Sequence, residues 1–192
     1  MPGSRRDFLG ISLGMAGSLA VLPAAGCSRP AVLPARGPHE KIRVAVIGVN
    51  GQGSAHVGEW LRTPEVDLVA VCDCDPAAYV RLCERHFKES LHPPEYIPNI
   101  RRLLDRRDID AVSIATPNHW HAVMAVWAMQ SGKDVYVEKP CSHTVEEGRV
   151  ITQWARKLGR MCQMGVQSRS MTGMRETLDF VKSGRIGPVK VA

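Results

Sequence analysis

The chain has 192 residues, of which 44% are hydrophobic, 23% charged and 5% aromatic. This composition is typical of one globular α/β domain with some additional chain, and it supplies enough apolar side chains for a hydrophobic core. The net charge of +6 does not indicate nucleic-acid binding, because the basic residues are scattered and the densest run, 101–108, carries its own acids and lacks interleaved aromatic residues.

Residues 1–27 are predicted to be an export signal. A twin-arginine pattern at Arg5 and Arg6 is followed by a mildly apolar stretch, 11–22, and by small residues before Cys27, which is the order of regions in such a signal. The apolar stretch is too short and too rich in glycine for a transmembrane helix. We expect export by the twin-arginine route to the periplasm or the cell envelope. Two interpretations of its end stay open: Cys27 is lipidated and tethers the protein to a membrane, or an ordinary signal peptidase cleaves nearby.

The next segment, 28–41, contains three prolines and few large apolar side chains. Such a composition is typical of a flexible linker between a signal and a folded domain. We therefore expect the folded part to begin at Ile42.

The first predicted strand, from Ile42, runs into a glycine-rich turn. Its near-continuous apolar run is typical of a parallel strand that is covered on both faces. Glycines let the backbone turn tightly and approach a ligand, and a helix that begins near Gly53 would direct its N–H groups at a pyrophosphate. Asn50 stands where the fingerprint G-x-G-x-x-G has its second glycine, so the motif alone is weak. The candidate cofactor-binding residues of the turn are Gly48, Asn50, Gly51, Gln52 and Gly53.

A second strand, 66–72, ends at Asp73. An acid about 20 residues beyond the glycines is where a dinucleotide-binding fold holds the ribose hydroxyls. A carboxylate there repels a 2′-phosphate and no arginine occurs within 74–76, which favours NAD over NADP. Asp75 is the better candidate for the N-cap of the next helix, which starts at Pro76, so Asp73 remains for the cofactor.

Helices and strands then alternate to the end of the chain, with a proline-rich loop at 92–96. Further strands are predicted at 111–115, 135–137 and 161–166, and helices at 54–61, 76–88, 99–105, around 120–131, 144–158 and 171–182. Asn99 is expected to cap its helix, and Thr144 and Glu147 have the spacing of a capping box. This alternation predicts an α/β fold with a doubly wound parallel sheet, in which ligands bind beyond the carboxyl ends of the strands. The glycine turn, Asp73 and the segments 116–121 and 138–140 all follow strands, so we expect them on one rim.

Four segments in this order resemble the Gfo/Idh/MocA oxidoreductase family. They read AVIGVNGQG at 45–53, VCD at 71–73, ATPNHWH at 115–121 and VEKP at 137–140. The resemblance covers about residues 42–192. It implies an NAD- or NADP-binding Rossmann domain, 42–166, and a C-terminal α/β substrate domain of which 167–192 is the start. Members of the family oxidise or reduce sugars, inositols and related polyols.

The resemblance also implies roles for individual residues. Lys139 matches the family lysine that contacts the substrate hydroxyl and the nicotinamide ribose, and its cationic head would stabilise an alkoxide as hydride leaves the carbon. The Lys-Pro bond is often cis in the family, which would aim this lysine into the cleft. The other matched cofactor-contacting residues are Thr116, Pro117, Asn118, His121, Glu138 and Pro140. Gln167 and Arg169 follow the last strand and are candidate substrate residues.

The family's general acid/base histidine and its nearby aspartate lie in the C-terminal domain, beyond Ala192. We therefore expect this chain to be a fragment or a truncated gene product that binds cofactor without turning over substrate. The full-length protein is expected to act on a sugar-like small molecule and to form a homo-oligomer.

Two alternatives for the histidines and cysteines are weaker. His119-x-His121 and Cys72-x-Cys74 have the look of metal pairs, but further ligands at short spacing are missing, so no metal is expected. Six cysteines would allow disulfides in an exported protein. Free thiols are expected instead, because Cys72 lies in a core strand and a twin-arginine substrate folds in a reducing cytoplasm.

Three classes of function remain. The first is a dehydrogenase or reductase of sugar-like substrates. The second is an NAD-dependent glycosidase that oxidises the sugar transiently. This activity exists in the family, generally without the lysine of Glu-Lys-Pro, so Lys139 argues against it. The third is a protein that binds or senses the cofactor without catalysis.

Overall fold

The computed structural model describes residues 40–90 and 92–190. The predicted twin-arginine signal, Cys27 and nearly all of the predicted linker lie outside these residues, so those features stay predictions. Within the described residues, no helix is long and apolar enough to cross a membrane.

Six parallel strands form one sheet. They are β1 Ile42–Ile47, β2 Val66–Cys72, β3 Glu95–Tyr96, β4 Ala111–Ile114, β5 Asp134–Val137 and β6 Cys162–Met164, in the spatial order β3-β2-β1-β4-β5-β6. This is the strand order of a Rossmann sheet, so the predicted fold class is confirmed. The prediction of an unbroken loop at 92–96 was wrong, because Glu95 and Tyr96 pair with Ala70 and Val71 of β2. A two-residue strand beside two prolines has no apolar run that sequence reasoning can detect.

Six α-helices cover the two faces of the sheet and the end of the described chain. They are α1 Gln52–Leu61, α2 Pro76–His86, α3 Ile100–Leu104, α4 Asn118–Gln130, α5 Val145–Leu158 and α6 Thr172–Lys182, with a 3₁₀ turn at Gln167–Ser170. The local capping signals act as predicted: Asp75 accepts the Ala77 N–H, and Thr144 and Glu147 form a capping box. Helix α1 begins two residues earlier than predicted, with Gly51 at its N-cap and no side-chain cap.

The core lies in two layers because β1 alternates its side chains between the faces of the sheet. Ile47 packs on one side with Ile114, Val137 and Met129, and Val46 packs on the other with Val57, Val71 and Leu82. Both faces are therefore buried, as expected for a parallel sheet. In such a sheet the rim at the carboxyl ends of the strands is the place where a ligand binds.

Candidate functional site

The predicted rim carries two cavities that meet at Ala115 and Thr116. The Asp73 cavity has a volume of about 620 Å³ and is lined by Ile47, Gly48, Asn50, Gly51, Cys72, Asp73, Cys74, Asp75, Pro98, Ile100, Ala115, Thr116, Pro117, Trp120 and Met124. The Lys139 cavity has a volume of about 700 Å³ and is lined by Gln52, Ala115, Thr116, Asn118, His121, Glu138, Lys139, Gly165, Val166, Gln167, Ser168, Arg169 and Met171. Together they form an elongated site over the ends of β1, β2, β4 and β5, which suits an extended ligand such as a dinucleotide.

Asp73 is held in the first cavity by the backbone around it. One carboxylate oxygen accepts the N–H of Val49 at 2.8 Å, and the other accepts the N–H of Asp75 at 3.0 Å. The Tyr96 hydroxyl donates to the Asp73 carbonyl oxygen at 2.8 Å. Each carboxylate oxygen keeps a lone pair for a further donor, so the carboxylate can accept from a ribose hydroxyl while it holds the glycine turn.

The glycines of the turn have two different tasks. Gly48 has a φ of +82°, and a Cβ on Gly53 would stand 1.6 Å from the Gly48 carbonyl oxygen, so these two positions need glycine for the turn to close. Around Gly51, by contrast, a Cβ would meet nothing within 4 Å, and this residue lines the cavity. The N-terminus of α1 has no side-chain cap. Its N–H groups therefore suit a pyrophosphate.

Asn50 does not use the left-handed conformation that asparagine tolerates, since positive φ occurs only at glycines among the described residues. Instead, its side-chain oxygen accepts from the Arg81 guanidinium at 2.8 Å, and Arg81 also pairs with Asp75 at 3.1 Å. Sequence reasoning looked for an arginine only within 74–76. It missed Arg81 because the first turns of α2 fold this residue back toward the glycine turn.

The outer wall of the Asp73 cavity is apolar. Trp120, which is 42% exposed, lies there with Pro98, Ile100 and Met124. Such a wall can pack against a flat ring such as a purine. The sequence places Trp120 in the helix predicted around 120–131, and this placement gives no sign of a face turned to a ligand.

In the Lys139 cavity, Lys139 is exposed and Glu138 beneath it is 4% exposed. The Lys139–Pro140 peptide bond is cis, as the resemblance implied. Glu138 accepts from His56 at 2.9 Å, from the Gln167 amide at 2.6 Å and from the Lys139 N–H at 2.9 Å. Burial raises the pKa of Glu138, but these hydrogen bonds outweigh it and hold the pKa below its ordinary value. The carboxylate is therefore charged at neutral pH.

His121 joins the two loops that border the cavity. Its ring nitrogens lie 2.6 Å from the Pro140 carbonyl oxygen and 2.7 Å from the Thr116 carbonyl oxygen, and the side chain is 1% exposed. The imidazole thus braces the segment 116–121 against the segment 138–140. Neighbouring His119 is exposed beside Trp120, so the two histidines do not face the same point.

Most predicted site residues come together on this rim, with some differences in detail. Gly53 and Pro140 line neither cavity and instead support the turn and the loop. Gln167 and Arg169 do line the Lys139 cavity, but the Gln167 amide is already bound to Glu138. Sequence reasoning missed His56, although a histidine on the buried face of an otherwise small and apolar helix was a usable signal.

The candidate metal ligands and the cysteines can be placed where they fall among the described residues. In the described ranges, no group of three or more His, Cys, Asp or Glu side chains is placed to hold a metal ion. Cys72, Cys74, Cys83, Cys141 and Cys162 are free thiols. Burial raises the pKa of Cys72 to about 12 and that of Cys162 to about 11, so neither is a reactive thiolate.

Comparison with known proteins agrees with this geometry. A family model described as the Gfo/Idh/MocA oxidoreductase family, NAD-binding Rossmann fold, matches residues 42–166. The chain is 38% identical over 176 residues to an α-N-acetylgalactosaminidase of Shewanella oneidensis, a match that covers 90% of this chain and 38% of the relative. It is 40% identical over 129 residues to a glycosyl hydrolase family 109 protein of a Shewanella strain, which covers 65% of this chain and 28% of that relative.

Solved structures share the fold. Myo-inositol 2-dehydrogenase from Lactobacillus plantarum superimposes with a TM-score of 0.67 at 24% identity, over 78% of this chain and 43% of its own. Scyllo-inositol dehydrogenase from Lactobacillus casei, with bound NAD(H) and scyllo-inositol, gives 0.66 at 23% identity, over 77% and 43%. The chain thus spans less than half the length of these relatives.

Proposed function

Because the chain belongs to the Gfo/Idh/MocA family of NAD-binding oxidoreductases, we propose that it is the cofactor-binding part of an enzyme that transfers hydride between NAD and a CH–OH carbon of a sugar-like substrate. The observation that carries the proposal is the position of Lys139, exposed in a cavity that adjoins the Asp73 cavity at Ala115 and Thr116. Each of the two cavities would bind one half of the cofactor. Trp120 and Asp73 would hold the adenosine, and Lys139 would lie beside the nicotinamide.

The residues of the chain would act mainly by orientation and charge. The N–H groups at the start of α1 would hold the pyrophosphate, and Asp73 would accept from the adenosine ribose. Bound NAD supplies the acceptor for the hydride that leaves the substrate carbon. The Lys139 ammonium binds the substrate oxygen and stabilises the negative charge that develops on it. The proton of that oxygen is taken up by a base in the C-terminal part that the longer relatives possess.

A glycosidase that oxidises its sugar transiently is the second candidate. It is favoured by the 38% identity to a relative named α-N-acetylgalactosaminidase. Both candidates begin with the same hydride transfer, so both require the same cofactor geometry. They differ in the fate of the hydride, which returns to the substrate in a glycosidase and stays on the cofactor in a dehydrogenase.

The proposal is tested on a protein that contains this chain and has the length of its relatives. It is incubated with NAD and a panel of free sugars, inositols and aryl N-acetylgalactosaminides, while nicotinamide absorbance and sugar release are followed. Net reduction of NAD with a free polyol supports the dehydrogenase. Release of sugar without net reduction supports the glycosidase. Bound cofactor with neither reaction would overturn both and favour a non-catalytic cofactor-binding protein.

A further inference from the structure

His56 is a buried polar side chain on α1, only 8% exposed, that points under the Lys139 cavity. Its Nδ1 lies 2.8 Å from the Ser113 hydroxyl on β4, and its Nε2 lies 2.9 Å from Oε1 of Glu138 at the end of β5. The ring also meets Tyr136 edge-on, with centroids 5.5 Å apart. One histidine thus joins three elements that are distant along the chain.

The hydrogen-bond partners define the direction of each bond. An ionised carboxylate only accepts, so the Nε2 atom of His56 must carry the proton that faces Glu138. In the neutral ring Nδ1 is then an acceptor, and the fully buried Ser113 hydroxyl donates to it. Ser113 therefore holds the imidazole in the tautomer that Glu138 needs.

The Glu138 carboxylate in turn binds residues that line the Lys139 cavity. Its Oε1 accepts from both His56 and Gln167, while its Oε2 accepts the N–H of Lys139 at 2.9 Å. The space around the carboxylate is closed on the side of Gly165, where a Cβ would stand 2.7 Å from the Tyr136 hydroxyl and 3.2 Å from Oε1. Without the His56 donor, Oε1 keeps only the Gln167 amide as its donor among the described residues.

We propose that His56 is a positioning residue for the nicotinamide half of the site. It holds the Glu138 carboxylate against the Lys139 amide and so keeps both residues in place at the wall of the Lys139 cavity. The inference rests on the proposed function in one respect, namely that this cavity receives the nicotinamide. It predicts that loss of the Nε2 donor weakens binding of the nicotinamide half alone.

A matched pair of variants isolates that donor. His56→Gln places an amide N–H near the position of Nε2 and keeps a donor to Glu138, whereas His56→Asn reaches only the position of Nδ1 and loses it. Affinities of the 192-residue chain for NADH and for ADP-ribose, which lacks the nicotinamide, are measured by calorimetry. We expect His56→Asn to weaken NADH binding roughly fivefold to tenfold, which is the size of one charge-assisted hydrogen bond. The affinity for ADP-ribose should change less than about twofold. His56→Gln should stay within about threefold for both ligands.

Three results would overturn the inference. An equal loss of both ligands in His56→Asn would mean that the histidine only stabilises the fold, and equal retention in both variants would mean that the donor has no effect. If the wild-type chain binds ADP-ribose as tightly as NADH, the nicotinamide makes no favourable contact in this cavity. Should His56→Asn fail to fold, Ser113→Ala replaces it, with a smaller loss that is again confined to NADH. These titrations measure ligand binding and not sugar turnover. They therefore test the role of His56 even if the full-length protein does not carry out the proposed reaction.

Discussion

The carboxylate of Asp73 accepts the backbone N–H of Val49 at 2.8 Å, and this bond ties the end of β2 to the glycine turn after β1. The two residues are separated by 23 others in the sequence, yet the parallel pairing of β1 with β2 brings them together. Asp73 thus supports the turn that would hold the pyrophosphate, and its remaining lone pairs are available to a ribose hydroxyl. An imperfect glycine motif is in this way stabilised from the neighbouring strand.

Replacement of Asp73 should weaken NAD binding strongly. Asp73→Ala removes the candidate ribose acceptor and leaves the N–H of the buried Val49 without its partner, so we expect a loss of about tenfold or more in affinity. The control is Asp67→Ala at the start of the same strand, where the carboxylate is half exposed and pairs with Lys41. Calorimetric titration with NAD measures both. Unchanged affinity in Asp73→Ala would disprove the assignment to the ribose.

Lys139 should affect turnover rather than cofactor binding. In a protein of the length of the relatives, Lys139→Ala is expected to lower kcat about a hundredfold, since it removes one group that stabilises the developing negative charge. The affinity for NADH should change less than about threefold. Lys157→Ala, an exposed lysine over the Trp154 ring, serves as the control. Turnover that survives in Lys139→Ala would exclude the proposed role.

Alanine at two positions of the glycine turn should affect two different properties, stability at Gly53 and NAD affinity at Gly51. Gly53→Ala would place a Cβ 1.6 Å from a backbone oxygen, so we expect a loss of about 3 kcal/mol or more in the free energy of unfolding. At Gly51 the Cβ meets nothing, and the loss should be about 1 kcal/mol or less. There the methyl group enters the cavity and should weaken NAD binding severalfold. Urea unfolding and NAD titration of both variants test this, and equal stabilities would contradict it.

Replacement of His121, which contacts both loops, should lower the free energy of unfolding. His121→Ala removes the ring between the Thr116 and Pro140 carbonyl oxygens, one of which loses the N–H donor of the neutral imidazole. It also empties a buried site, so we expect a loss of about 2–4 kcal/mol in the free energy of unfolding. His119→Ala changes an exposed ring two residues away and should shift stability by less than about 0.5 kcal/mol. The comparison uses chemical denaturation at neutral pH. Similar values for the two variants would mean that the loops do not depend on the imidazole.

Asp108 should contribute to the dependence of stability on pH in acid. A hydrogen bond from Arg106 is the main cause that lowers the pKa of Asp108 from 3.8 to about 2. Because the pKa is lower in the folded chain, this stabilisation is complete above about pH 4 and is lost as the pH falls toward 2. The side chain is 46% exposed, so screening by solvent reduces the effect to about 1 kcal/mol.

The test compares the wild-type chain with Asp108→Asn by urea unfolding between pH 2 and pH 6. We expect the wild-type chain to be more stable at pH 6 and the difference to vanish near pH 2. Added salt should shrink the difference at pH 6. If the difference in the free energy of unfolding between the two proteins does not change with pH, the ion pair with Arg106 is not the source of that difference.

Local sequence determined the elements of this protein and several of their ends. Asp75, Asn99 and Thr144 cap their helices as predicted, because a cap involves atoms only two or three residues apart. The apolar run of β1 indicated a strand covered on both faces, and the order of motifs indicated one rim. The twin-arginine signal belongs to this group too, but it lies outside the described residues and stays a prediction.

Only the tertiary structure decided which distant side chains meet. The two-residue β3 exists because β2 offers it a partner, and Arg81 reaches Asn50 because α2 packs beside the turn. His56 and Glu138 are separated by 81 residues in the sequence, and no local pattern connects them. Their contact depends on the crossover that places β5 beside β4 and α1 above it. Local chemistry therefore determines where several of the elements begin and end. Packing determines the buried hydrogen bonds of the site, because it acts between residues without regard to their separation in the chain.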